Sequence, residues 1–244
     1  MQLWFCPVLA FLLGSIPFGL LIAKAKRIDI RQHGSGNIGA TNVFRVVGKK
    51  YGLGCLLLDA LKGFVPVVIA VNLVPVEGRV PIFDLVFPND WAMYPAPQQF
   101  TAQLVHVITA LAAVLGHNYS PWIGFKGGKG IATSAGVLIG LMPAAVGVLV
   151  VIFIVVLALT RYVAVASMVA AVCLPIVTHF GARYHVNDAG ISLWTAGTWN
   201  KPLFFFTVVI AILAVWKHRP NILRLRQGKE SKFGLKDQPI SKKP

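Results

Sequence analysis

Three short segments of this 244-residue chain hold most of the side chains that could act on a substrate. The first, GSGNIGATNVFR at 34–45, spaces Gly34, Gly36 and Gly39 as G-x-G-x-x-G. A dinucleotide fingerprint of that form must follow a strand and open a helix. Here it follows an apolar run and a basic stretch, so that reading is rejected. Anion chemistry remains. Glycines let backbone N–H groups approach an anion, and Ser35, Asn37, Thr41 and Asn42 add neutral hydrogen-bond donors. Arg45 adds a planar guanidinium that grips phosphate oxygens in pairs. A capped turn at a membrane surface is the plainer alternative for this segment taken alone.

The second segment, GHNYSPWIGFKGGKGIATS at 116–134, sets Gly124, Gly127, Gly128 and Gly130 around Lys126 and Lys129. It departs from the nucleotide phosphate loop, because Gly130 rather than Ser or Thr follows Lys129 and Ile123 stands at the first glycine position. No nucleotide is therefore expected, while anion binding by backbone donors and two lysines is. Thr133 and Ser134 fall at the start of the next helix, and His117 either closes the preceding helix or meets substrate. The third segment, KHRPNILRLRQGKE at 217–230, has Lys or Arg at five of its fourteen positions. A basic collar on anionic lipid headgroups accounts for that charge. It does not require His218 or Asn221, which flank Arg219 and Pro220, and Glu230 is the only acid in the three segments.

The rest of the chain has to position these segments, and its composition says how. A formal charge of +15 sits on a chain that is 56% hydrophobic and only 13% charged. A nucleic-acid binder or a disordered basic chain of that charge would be polar, so neither class fits. Cys6, Cys55 and Cys173 all lie in apolar runs with neither metal-ligand nor disulfide spacing. Apolar stretches recur at 3–23, 51–74, 101–116, 130–160, 162–180 and roughly 199–216, the pattern of a multi-pass membrane protein. No positive charge precedes the first run, whereas Lys24, Lys26, Arg27 and Arg31 follow it, the reverse of a cleaved signal.

The long 130–160 run decides the topology. Turning near Met142-Pro143, it crosses twice and brings the total to seven helices, with the N-terminus outside and the C-terminus cytoplasmic. Seven basic residues in 24–50, two in 117–129, Arg161 and nine beyond 216 then lie inside. Only Arg79, Arg183 and Lys201 lie outside, as positive-inside orientation demands. All three chemical segments then meet at the cytoplasmic face. Within the spans, Asp59 and Lys62 share a helical face and read as a buried ion pair that buttresses the site, while His106 reads as a packing group. The outside loops 75–100 and 181–201 carry no recognisable chemistry. The chain forms a single membrane domain, and its basic end, 229–244, reads as a mobile tail.

GSGNIGATNVFR, LDALKG at 58–63, GHNYSPWIGFKGGKGIAT and KHRPNILRLRQGKE together resemble the motifs of the bacterial acyl-phosphate:glycerol-3-phosphate acyltransferases, in order and over nearly the full length. Ile38 and Ser120 stand where that family usually has proline, and the 75–100 loop looks like an insertion. The resemblance implies an all-α integral protein of the bacterial inner membrane with its active site facing the cytoplasm. It implies acyl transfer from acyl phosphate to the sn-1 hydroxyl of glycerol 3-phosphate, giving lysophosphatidic acid and phosphate. No metal and no cofactor are implied.

In that reaction Ser35, Asn37 and the 34–39 backbone, with Lys129 and the 127–130 backbone, are expected to hold phosphates and the developing oxyanion. Arg45, Lys126, Arg219, Asn221 and Arg224 would orient glycerol 3-phosphate, with Thr41, Asn42, His117, Thr133, Lys217 and Glu230 around them. The hydroxyl proton would pass to a phosphate oxygen or to His218. Acyl phosphate carries a good leaving group, so positioning and charge stabilisation suffice, and direct transfer is favoured over an acyl-Ser35 intermediate. An organic-anion transporter or channel is the rival class. It would set its polar groups near the bilayer midplane rather than at one face.

Overall fold

A computed structural model of the protein describes residues 5–76, 82–83, 95–184 and 200–234, and every regular element among them is helical. Much of the two loops at 75–100 and 181–201, and the tail from 235, lie outside the described residues. The first apolar run is two helices, α1 (Phe5–Gly14) and α2 (Phe18–Ala25), because Pro17 has no N–H to continue the ladder. That break leaves carbonyl groups without helical partners deep in the protein, and side chains from elsewhere answer them. The Ser120 hydroxyl donates to Ser15 O at 2.6 Å, and the Lys62 ammonium donates to Ile16 O at 2.7 Å. Ser120, a departure from the family pattern, thus stabilises the broken helix.

After a short α3 (Ala40–Val46), the 25-residue α4 (Lys49–Leu73) runs through the centre. It is flanked by α5 (Gln99–Asn118) and α6 (Ile131–Leu141). Small residues set these contacts. A Cβ on Gly14 would strike the Ala113 backbone, and one on Gly136 would strike the Ala60 carbonyl, so α1 meets α5, and α4 meets α6, nearly backbone to backbone. The apolar core between them includes Ala10, Val67, Ala110, Val114, Val137 and Leu174.

The chain breaks at Met142 as expected, and Pro143 opens α7 (Pro143–Thr160), which buries only Val146 and Leu149 and otherwise presents its apolar side chains outward. Then follow α8 (Val163–Tyr184), α9 (Lys201–Lys217) and α10 (Arg219–Arg226). Among the described residues, five segments are long and apolar enough to cross a membrane, and a sixth counts if α9 and α10, bent by 48°, are one span. Seven were expected. The difference is α6, whose 11 residues reach only about 16 Å. It links two cavities. Its first residues, Ile131 and Ala132, line a cavity beside Lys129 and His218, while Gly140 and Leu141 line another beside Pro75, His106 and Asn200. His106 bonds the Val74 carbonyl at 2.9 Å, a packing role.

Candidate active site

A cavity of about 160 Å³ lies where all three chemical segments meet. From the first segment it is lined by Ser35, Asn37, Gly39, Thr41, Asn42 and Arg45. His117, Lys129 and Gly130 come from the second, and His218, Asn221 and Glu230 from the third. Asp59 reaches it from α4. Segments separated in sequence by 70 residues or more therefore form one site.

The first segment is shaped from within by Asn42. Its amide donates to the carbonyls of Ile30, His33 and Asn37, and its oxygen accepts from the Ser35 N–H at 2.9 Å. Gly34 (φ +59) turns directly above it, where a Cβ would meet Asn42 Oδ1. Asn37 closes a smaller turn, its side-chain oxygen accepting from the Gly39 N–H at 2.8 Å. The sequence reading gave Asn42 to substrate. The structure commits its amide to holding the loop that presents Ser35.

The second segment is clamped to the end of α5. The N–H groups of Gly127 and Gly128 donate to the carbonyls of Asn118 and His117, each at 3.2 Å. Their backbone was expected to hold phosphate, but these two donors already have partners, and among residues 127–130 only Lys129 and Gly130 line the cavity. Glycine is required here because a Cβ on Gly127 or Gly128 would run into the His117 carbonyl or its imidazole. Behind the loop, Asp59 Oδ1 lies 2.7 Å from the Lys62 ammonium and 3.7 Å from His117 Nδ1. The expected ion pair is thus present, and it links the break in the first span, α4 and the glycine loop in one buried chain. Gly130 (φ +78) caps α6, and with Ile131 and Ala132 of its first turn it lines the cavity. Burial pulls the Lys129 ammonium down to about 8. The Glu230 carboxylate opposes that pull, and the Arg224 and Arg45 guanidinium groups add to it.

In the third segment, His218 ends α9 and is 2% exposed. Its Nδ1 lies 2.7 Å from the Ala214 carbonyl, which can only accept, so that nitrogen carries the proton and Nε2 keeps its lone pair. Glu230 holds its carboxylate between Asn221 Nδ2 and Arg224 Nε, both at 2.7 Å. Other expected residues lie outside the cavity. The Lys217 ammonium donates to Asn118 O at 2.9 Å and covers the Tyr119 ring. Arg219 stacks 4.3 Å from the Trp216 ring, Lys126 is exposed, and Thr133 is buried beside Gly63 between α6 and α4.

An apolar groove of about 270 Å³ adjoins the cavity and shares Leu56, Ile131, Ala132, Phe153 and Ser167 with it. It continues along α8 past Ala170 and Ala171 to Leu174, closed by Leu138, Val146 and Ile210. Sequence reasoning missed these wall residues. They stand in apolar helices without any motif, and only Ser167, a hydroxyl in the α8 run, gave a sign.

Comparison with known proteins agrees with this geometry. Residues 4–228 match the family described as Glycerol-3-phosphate acyltransferase. A glycerol-3-phosphate acyltransferase of Geobacter sulfurreducens is 40% identical, covering 92% of this chain and 94% of that protein. One from Aquifex aeolicus is 37% identical, covering 96% of this chain and all of its own length. The fold is similar to PlsY (YgiH), an integral membrane glycerol 3-phosphate acyltransferase solved in glycerol 3-phosphate and lysophosphatidic acid forms. The TM-scores are 0.73 and 0.70, at 36% identity over 96% of each chain.

Proposed function

The chain belongs to the glycerol-3-phosphate acyltransferase family, and from that premise we propose that it transfers a fatty acyl group from acyl phosphate to the sn-1 hydroxyl of glycerol 3-phosphate. The products are lysophosphatidic acid and phosphate. One observation carries the reading: a cavity lined by Arg45, Lys129 and His218 shares a wall with an apolar groove. Both substrates are phosphate anions and one bears a chain. The groove takes the chain and the cavity takes the phosphates.

Arg45 and Lys129 neutralise the phosphates, and Ser35 with the first turn of α6 faces the oxyanion that develops on the acyl carbonyl. The sn-1 oxygen attacks the acyl carbon, and the bond from that carbon to the bridging phosphate oxygen breaks. Phosphate leaves with the electron pair. The hydroxyl proton passes to a phosphate oxygen or to His218 Nε2, whose tautomer the Ala214 carbonyl supports. Ser35 is a donor in this scheme and carries no acyl group. The seven-crossing topology, with the site facing the cytoplasm of a bacterial inner membrane, is part of the proposal. It is supported by the break at Met142, which separates α6 from α7, and by the cations Arg45 and Lys129 at the cavity.

The test uses purified protein with acyl phosphate and glycerol 3-phosphate in EDTA and without ATP, measuring lysophosphatidate and phosphate. Both should appear in equal amounts; failure of acyl phosphate to serve as donor sinks the proposal. Mass spectrometry of protein quenched rapidly after mixing with acyl phosphate alone should find no acyl adduct. A stoichiometric adduct on Ser35 that chases into product would make Ser35 the nucleophile.

A further inference from the structure

Residues 229–233 contact several elements around the phosphate cavity, and Glu230 lines it directly. The Lys229 N–H donates to Arg224 O at 2.8 Å, and Glu230 takes Asn221 and Arg224 as already described. The Ser231 carbonyl accepts from Arg45 Nη2 at 3.1 Å. The Lys232 ammonium lies 5.7 Å from the centre of the Tyr162 ring. The Phe233 ring packs 5.4 Å from that of Phe44 on α3, and its N–H donates to Arg161 O at 2.6 Å. One six-residue segment thus joins α3, the α7–α8 junction and α10, elements whose residues Thr41, Val163 and Asn221 also line the cavity. It begins after Gly228, at φ +66 with open space around it, and ends at Gly234, at φ +83. The sequence reading placed these residues in a mobile tail. Their contacts instead close the polar rim, while the apolar flank stays open through the exposed Leu56 and Val150.

We propose that Lys229–Gly234 is a clasp, hinged at Gly228, that admits and retains the water-soluble phosphate substrate and takes no part in passage of the acyl chain. The chemistry of its contacts suits that role. Arg45, which lines the cavity, is a cation a phosphate would seek, and the clasp engages it through the Ser231 carbonyl while its Glu230 carboxylate holds Arg224 alongside. An entering phosphate is admitted when the clasp lifts, and closure covers it while Lys129 and the other Arg45 donors at the cavity hold it. The remaining attachments beyond the Gly228 hinge are one backbone hydrogen bond, one ring pair and one exposed cation over a ring, few enough to release within a catalytic cycle. The identity of the soluble substrate, glycerol 3-phosphate, rests on the function proposed above.

The experiment replaces Cys6, Cys55 and Cys173 with Ala, adds Phe44→Cys and Phe233→Cys, and joins the new pair with a short bis-methanethiosulfonate cleaved by dithiothreitol. Labelled glycerol 3-phosphate added before cross-linking should survive dilution on the protein. The same label added after cross-linking should be excluded, and turnover should fall at least tenfold and return on reduction. Free exchange of label through the cross-linked protein would overturn the clasp. So would expulsion in both orders, which would make the closed form an inhibitory contact. Protein that binds no glycerol 3-phosphate even when reduced would overturn the function itself, and the clasp with it. Independently, Phe233→Ala should raise KM for glycerol 3-phosphate severalfold while leaving KM for acyl phosphate unchanged. An equal rise in both would refute selective gating.

Discussion

The charge on Lys129 depends on how little water reaches it. With its ammonium pulled down to about 8, it loses its proton as pH rises through that value, and its attraction for phosphate goes with it. We expect kcat/KM for glycerol 3-phosphate to fall above about pH 8, approaching tenfold per pH unit. Lys129→Arg, which stays charged, should be slower at neutral pH yet lose that alkaline limb; the same limb in both proteins would assign it to another group. Asn42 makes the opposite case, a residue whose importance is architectural. Its amide serves three carbonyls, so Asn42→Asp keeps the shape but sets a carboxylate against them. Each orphaned buried carbonyl costs about 1–3 kcal/mol. Asn42→Asp should therefore lower thermal stability and activity together, whereas an effect on KM alone would restore Asn42 to the substrate-contacting group.

Between elements, the closest approaches are made at glycines, and they can be compared directly. Gly136 packs against the Ala60 carbonyl, and Gly147 on α7 has nothing within 4 Å. Gly136→Ala should push α6 from α4 and lower the melting temperature in detergent by several degrees. Gly147→Ala should be neutral or stabilise by up to about 1 kcal/mol, since alanine favours helix. Equal shifts would mean that the α4–α6 contact is not tight. The helices themselves were legible in the sequence because uncharged runs longer than a turn or two announce themselves, and the break at Met142-Pro143 was legible from proline and charge parity. The break at Ser15–Pro17 was not. Its carbonyls are answered by Ser120 and Lys62, residues far along the chain that no local pattern links to it. The same holds for the site. Glycine and cation motifs pointed to Ser35, Arg45, Lys129 and His218, all at the cavity. The backbone of Gly127 and Gly128 looked free for phosphate because a sequence does not reveal which N–H groups the end of α5 already occupies.

For the whole molecule, the arrangement rests on which end faces the cell interior. Gln98, before α5, and Arg226, at the end of α10, are both exposed and lie at opposite ends under the proposed topology. With native cysteines replaced, Gln98→Cys should react with an impermeant thiol reagent added outside intact cells, and Arg226→Cys only after the membrane is opened. Labelling of both from outside would reverse or break the topology. The wall shared by groove and cavity carries a last consequence. In the proposed reaction acyl phosphate and lysophosphatidate have the same tail, and under the proposed topology the groove's exposed flank at Leu56 and Val150 opens to the bilayer. Carrying a chain of about sixteen carbons through water would cost on the order of 10 kcal/mol, at about 0.8 kcal/mol per methylene. A tail that slides between groove and bilayer avoids that cost. The concentration that governs turnover is then a surface density. Diluting acyl phosphate with inert lipid at constant total amount should slow the enzyme, while the same dilution with buffer leaves the rate per enzyme unchanged.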